Sequence, residues 1–327
     1  MSDFVNPASV PQKKLNNGYS MPFIGMGTFG SDSVPYETVA EAVIGAAEVG
    51  FRLFDCASVY GNEDKIGESF AKIMAGGVKR EDLFIMSKVW NDSHSRVIES
   101  CKKSLYDLKL DYLDAYFVHW PFPNFHPPHC DIDSRSPDAR PYIHEEFMAT
   151  WRQMEQLHEM GLVRSLGVSN VTISKLDKIL RDAKVKPALN EMELHPSFQQ
   201  PELFDYCTKH DIAQVGYCPV GSPNRPERDI DPADVIDTQM PEIVEIARAH
   251  NVHPAIICLK WAVQNGHIPI PFSVTRKNYT ANIKSITEDP LTPAEMQTIK
   301  NADKNCRFIK GHVFLWQEAK GWEDLWE

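Results

Sequence analysis

From residue 23 onward the chain repeats one pattern: a short apolar run of strand length, then a longer segment whose apolar residues recur every three or four positions. The strand-like runs are Phe23–Met26, Phe51–Phe54, Leu83–Lys88, Leu113–His119, Val163–Asn170, Ala188–Met192, Ile212–Tyr217 and Ile268–Pro271. Helical spacing is expected over Pro35–Glu48 (apolar at Val39, Ala42, Val43 and Ala46), Glu63–Met74, Ser95–Leu108, Glu146–Met160, Ile173–Arg181, Pro201–His210, the pair Pro241–Asn251 and Ala255–Gln264, and Lys277–Ile286. Eight such units in succession predict an α/β fold, a (β/α)8 TIM barrel formed as one domain over residues 1–327. An open dinucleotide-binding sheet is disfavoured, because no Gly-x-Gly-x-x-Gly stands between the first strand and its helix. Lys13-Lys14-Leu15, Asn16-Asn17-Gly18 and Tyr19-Ser20-Met21 predict an N-terminal β-hairpin. Two segments break the rhythm. A long Pro-rich loop, 121–145, follows the fourth strand, and a tail from Gly311 to Glu327 carries Phe314, Trp316, Trp322 and Trp326. The tail is expected to pack over the barrel mouth or against a partner, with plain core packing as the alternative.

In a barrel of this kind chemistry gathers at the C-terminal ends of the strands. Those ends here are Asp55, Lys88, His119, Ser169-Asn170, Asn190-Glu191 and Tyr217. Tyr60 follows Asp55 closely, before Gly61-Asn62-Glu63 opens a helix. A phenol, about 10 in its unperturbed pKa, serves as a general acid only if that value is pulled toward neutrality. Lys88 is the cation placed to do it, with Asp55 holding the ammonium. Asp55 as a structural cap and Tyr60 as a packed ring are the plain alternatives for that segment.

Composition narrows the partners. A formal charge of −11 argues against nucleic acid or an anionic membrane. Seven cysteines, odd in number and without a Cys-x-x-Cys pair, fit a reducing cytoplasm. Neither a signal peptide nor a membrane span is visible, and a cytoplasmic location is expected. His126-Pro127-Pro128-His129-Cys130-Asp131 in the long loop could be taken for a metal site, but its Pro-Pro favours an extended pocket wall, so no metal is expected.

In this order the motifs resemble those of the aldo-keto reductase superfamily: Gly50-Phe51-Arg52 through Tyr60-Gly61-Asn62-Glu63, Ser87-Lys88, Val118-His119-Trp120-Pro121, Leu166-Gly167-Val168-Ser169-Asn170, Glu193-Leu194-His195-Pro196, Gly221-Ser222-Pro223 and Ile270-Pro271 with Ser273-Val274-Thr275. The resemblance implies reversible interconversion of a carbonyl and its alcohol with NADP(H), NAD(H) or both. Tyr60 would be the general acid, tuned by Lys88 and Asp55, with His119 orienting the substrate oxygen. It also implies that Tyr217 stacks on the nicotinamide, that Ser169 and Asn170 hold its carboxamide with Glu191, and that Thr28, Gly221 and Ser222 lie along the cofactor. Ser273, Val274, Thr275, Arg276 and Asn282 would take the adenosine end. For Ser169 and Asn170 a helix N-cap is the alternative, and for Ser222 turn chemistry. Trp90, Trp120, Phe122, the 121–145 loop and the aromatic tail with Trp316 are expected to wall the substrate pocket, where Arg307 could meet an acidic group. A monomer or weak homo-oligomer acting on a small aldehyde or aldose is expected. A catalytically silent binding subunit and a metal-dependent enzyme are the competing classes.

Two departures from the family pattern stand out. The carboxamide site, usually Asn-Gln-x-Glu, reads Asn190-Glu191-Met192-Glu193. An ionised Glu191 accepts but cannot donate, and its charge favours the cationic oxidised nicotinamide. Lys and Arg that commonly grip the 2′-phosphate are replaced by Phe272 and Asn278, leaving Arg276 and Lys277 as neighbouring substitutes. Use of NAD alongside NADP is therefore expected.

Overall fold

A computed structural model describes residues 3–30, 33–126, 135–223, 225 and 227–327. His129, Cys130 and Asp131 of the loop motif lie outside the described residues. The N-terminal hairpin pairs β1 (Gln12–Lys14) with β2 (Ser20–Pro22), Lys14 opposite Ser20. Leu15 and Met21 of this hairpin are buried with Leu53, Phe84, Met86 and Phe117, closing the barrel from below.

The barrel strands are β3 (Met26–Gly27), β4 (Leu53–Asp55), β5 (Phe84–Val89), β6 (Leu113–Val118), β7 (Val163–Ser169), β8 (Leu189–Glu193), β9 (Ala213–Tyr217) and β10 (Ile268–Pro269). They form one parallel sheet in chain order. The sheet closes on itself where the Gly25 N–H donates to the Pro269 carbonyl at 3.0 Å and the Gly27 N–H to the Pro271 carbonyl at 3.1 Å. Around it run α1 (Tyr36–Val49), α2 (Glu63–Ala75), α3 (Val97–Leu108), α4 (His144–Glu159), α5 (Ile173–Asp182), α6 (Pro201–Lys209), α7 (Pro241–Ala249), α8 (Pro254–Asn265) and α9 (Arg276–Ser285). A further helix, α10 (Pro293–Asn301), was not expected from apolar spacing. Its signal is in its cap: Thr292 and Glu295 form a capping box with Pro293 as the first helical residue.

The first strand begins at Met26 rather than Phe23, because the Phe23 amide donates to Pro11 at the hairpin. The last ends at Pro269, since proline supplies no N–H to extend a ladder. The other strands fall within a residue or two of expectation.

Helices α2 and α3 cross at Gly67, where a Cβ would overlap the carbonyl oxygen of Asp107. Gly67→Ala is expected to destabilise the fold by about 2–3 kcal/mol through overpacking. Thermal or urea unfolding checks this, and an unchanged midpoint would mean the crossing can relax.

The tail returns over the mouth. Val313, Phe314, Leu315 and Leu325 pack with Trp120 and Phe122. Lys175 of α5 donates to the carbonyl of Leu325 at 3.1 Å and also to that of Glu327. Among the described residues no helix is long and apolar enough to cross a membrane.

Candidate active site

Strand alternation builds the site. Side chains two apart on a strand share a face, and the barrel interior is filled by Leu53, Met86, Phe117, Leu189 and Val215. Two residues further along each strand stand Asp55, Lys88, His119, Glu191 and Tyr217, with Ser169 in the same position beyond Gly167. One step of the same periodicity thus converts an apolar layer into a polar one at the strand ends. This layer floors a cavity of about 510 Å3 bordered by Asp55, Tyr60, His119, Ser169, Asn170, Glu191 and Tyr217.

Tyr60 is carried by a short helical turn, Ser58–Tyr60, that Gly61 terminates with φ of 70°. The turn is pinned from three sides. Ser58 Oγ donates to the Lys88 carbonyl at 3.0 Å, Asn62 Nδ2 to the Thr28 carbonyl at 2.9 Å, and buried Glu63 accepts from Ser87 and Ser104 at 2.6 and 2.7 Å. Phe29 packs on the tyrosine ring, centroids 5.0 Å apart.

Lys88 is fully buried and satisfied by four oxygens. Its Nζ lies 2.6 Å from Asp55 Oδ1, 3.1 Å from the Cys56 carbonyl, 3.3 Å from the Tyr60 hydroxyl and 3.3 Å from Glu191 Oε1. Burial disfavours the ammonium, but Asp55 and Glu191 outweigh it and hold Lys88 protonated. The geometry needed to tune Tyr60 is therefore present. Its net direction differs from expectation: burial holds the phenol above the ordinary tyrosine value, Lys88 pulls it down, and Asp55 and Glu191 push it up. Glu191 is pushed up to about 8 by burial and by Asp55, against the pull of Lys88. Burial and Lys88 keep His119 far below the usual histidine value, hence neutral. Its Nδ1 is buried and without a hydrogen-bond partner among the described residues.

Asn170 takes a left-handed φ of 58° and does not cap α5, whose N-cap is Thr172. Its Nδ2 donates to the His119 carbonyl at 2.9 Å, and the Tyr217 hydroxyl donates to its Oδ1 at 2.6 Å, which fixes the tyrosine ring at the cavity edge. Asn190 faces away, its Nδ2 3.7 Å from Cys207 Sγ. Thr28 is buried, with its hydroxyl on the Asp55 carbonyl at 2.8 Å. Ser222 borders the cavity beside Gly221. Ser273, Val274, Thr275 and Asn282 stand beyond Phe272, which does border it. Arg276 donates to Glu48 at 2.7 Å and lies 3.7 Å from Asp3. Trp90 and Trp120 face the cavity, whereas Phe122 and Trp316 back them from behind. Arg307 lies off the cavity, its guanidinium 3.5 Å above the Trp326 ring. The expected loop and tail contribute Phe125 and Phe314 to the wall, and wall residues not anticipated include Phe29, Val59, Cys218 and Arg225. Cys218 directly follows the strand-end residue Tyr217 and Phe29 stands two residues past the end of β3, positions that could have flagged them.

The sequence profile of the Aldo/keto reductase family matches residues 23–304. This chain belongs to that family. It is an oxidoreductase in kind, and its polar layer lies at the strand ends, where barrels of this kind place chemistry. Similar proteins include aldo-keto reductase family 1 member A1-A of Danio rerio, 35% identical over 94% of this chain and 95% of the relative. Aldo-keto reductase family 1 member A1 of Gallus gallus is 37% identical over 90% and 89% of the two chains. Among solved structures, a Bombyx mori aldo-keto reductase in complex with NADP superposes with a TM-score of 0.80 at 30% identity, covering 93% of this chain and 95% of that one.

Proposed function

We propose that this member of the aldo/keto reductase family interconverts a small aldehyde or aldose and its alcohol with a nicotinamide cofactor. The observation that carries this is the buried Asp55–Lys88–Tyr60 chain beside neutral His119 at the floor of one cavity. A nicotinamide also fits the donor set: Glu191 borders the cavity, its buried Oε2 has no hydrogen-bond partner among the described residues, and Tyr217 presents a fixed ring on the same cavity.

When bound, the nicotinamide supplies or accepts a hydride at its C4. Tyr217 would stack on it, and Ser169, Asn170 and Glu191 would hold its carboxamide. In reduction Tyr60 gives its proton to the carbonyl oxygen, and Lys88, donating to the phenol oxygen, offsets the negative charge as it develops there. His119, being neutral, donates a hydrogen bond to the same oxygen as charge develops there. Fixed donors aimed at that oxygen favour the transition state over the ground state. Trp90, Trp120, Phe125 and Phe314 give the pocket apolar walls that exclude water.

Arg276 is already engaged by Glu48, so a 2′-phosphate would have to compete for it. This supports use of both NADPH and NADH. The test is consumption of each reduced cofactor over a panel of aldehydes and aldoses. Turnover with both is expected, with rates within about tenfold of each other, the equivalent of one weak ion pair. Strict NADPH dependence would show that Arg276 or Lys277 has become a dedicated clamp. Tight cofactor binding without turnover in either direction would favour a silent binding protein.

A further inference from the structure

The acid at position 191 has a consequence of its own, one that rests on the nicotinamide chemistry proposed above. Two carboxylates share one ammonium: Asp55 lies 2.6 Å and Glu191 3.3 Å from Lys88 Nζ, and all three side chains are sealed from solvent. One ammonium neutralises one carboxylate, so an ionised Glu191 is charge in excess. The one arginine among the described cavity-lining residues, Arg225, is paired with Asp234, and Glu191 borders the cavity with its buried Oε2 lacking a hydrogen-bond partner among the described residues.

We propose that Glu191 is the proton-holding residue of this site, protonated with a reduced, neutral nicotinamide and ionised with an oxidised, cationic one. Every neighbouring group bears on that balance. Asp55 of β4 opposes the negative charge, and Lys88 of β5 favours it. Tyr60 and, from β9, Tyr217 face it as neutral phenols that its charge pushes further from ionisation. His119, past the end of β6, is neutral. From β7 the residue opposite in register is Ser169, which carries no charge. Glu193, two residues further along β8 at its C-terminal end, is committed to His195 and to the amides of Phe308 and Ile309. With Glu191 poised at about 8, both of its forms are accessible near neutrality, and a single added positive charge decides between them. The amide that the family usually carries there has no such choice.

The same atoms give the proton a route. Lys88 Nζ is 3.3 Å from Glu191 Oε1 and 3.3 Å from the Tyr60 hydroxyl. In reduction Tyr60 loses its proton to the substrate oxygen, Lys88 replaces it, and Glu191 replaces the one on Lys88. The alcohol has then gained a hydride and a proton, and the carboxylate left on Glu191 faces the positive charge created on the cofactor. In oxidation the proton returns by the same path.

The experiment is binding of oxidised and reduced NADP to the full-length protein between pH 6.5 and 9, read by tryptophan fluorescence. The phosphates are common to both forms and cancel in the ratio of their affinities. In the wild type the preference for oxidised over reduced cofactor should rise with pH below about 8, approaching about tenfold per pH unit, the limit for release of one proton, and then level off. In Glu191→Gln the ratio should be flat. A second measurement needs no variant: mixing the wild type with oxidised cofactor in weak buffer should release a proton to an indicator dye, and mixing with reduced cofactor should not. Binding with a flat ratio and no proton release would overturn the inference alone, as would an equal slope in Glu191→Gln. Failure of the wild type to bind either form would overturn the nicotinamide reading as well.

Discussion

Tyr60→Phe is expected to lower kcat by about 10²- to 10⁴-fold, the range for losing a positioned general acid, while cofactor affinity changes little. The substitution removes one oxygen and leaves the ring against Phe29. Lys88 keeps Asp55, the Cys56 carbonyl and Glu191 as partners, so the buried charges remain compensated. A loss confined to turnover, with normal unfolding and normal cofactor titration, would separate proton donation from structure. If steady-state rates instead survived the change, the acid would have to be another group on the cavity, and His119 is the remaining side chain placed to reach the same oxygen.

The largest effect on stability is expected from His195→Ala. His195 is fully buried between two carboxylates, 2.9 Å from Glu193 and 2.9 Å from Asp237, and stacks on Phe308 at 4.3 Å. Burial alone would lower its pKa, but Asp237 and Glu193 more than offset this and raise it to about 9. Removing the imidazolium leaves two buried acids without their cation, a loss of about 3–5 kcal/mol. The pH dependence follows from the direction of the shift. Because the folded value lies above the ordinary histidine value, the stabilisation is fully present below about pH 6.5 and is lost as pH rises through about 9. Its full size is about 3 kcal/mol at roughly 1.4 kcal/mol per pH unit. Thermal unfolding of both proteins from pH 6 to 10 checks it, with the gap between them narrowing at the alkaline end. A gap of constant width would mean that His195 is held neutral and stabilises by packing alone.

The two sites were not equally visible in the sequence. The polar layer at the strand ends was legible because alternation along a strand fixes its face: once Leu53, Met86 and Leu189 are taken as inward, Asp55, Lys88 and Glu191 must follow. The sign of the shift on Tyr60 was not legible, since burial and the second carboxylate on Lys88 depend on packing across the barrel. The role of Glu193 and His195 was hidden for a similar reason. Their partners, Asp237 and the amides of Phe308 and Ile309, come from distant loops that no periodicity marks. The tail's place over the barrel mouth was readable from its aromatic residues, but its anchoring by the Asn124 amide, which donates to the Phe314 carbonyl, was not.

The closure between the first and last strands also sets where this barrel yields. Pro269 and Pro271 offer carbonyls to Gly25 and Gly27 but no N–H in return, so this junction holds by donors from one side only. Every other junction lies between strands that can donate both ways. With fewer donors across it, this junction is expected to open locally more readily than a fully paired one. Gly27, Ile270, Pro271 and Phe272 on that line also border the cavity. Breathing of the fold would widen the site from this flank and leave the rigid Lys88 side undisturbed, giving a long ligand a way in that does not require the tail to lift.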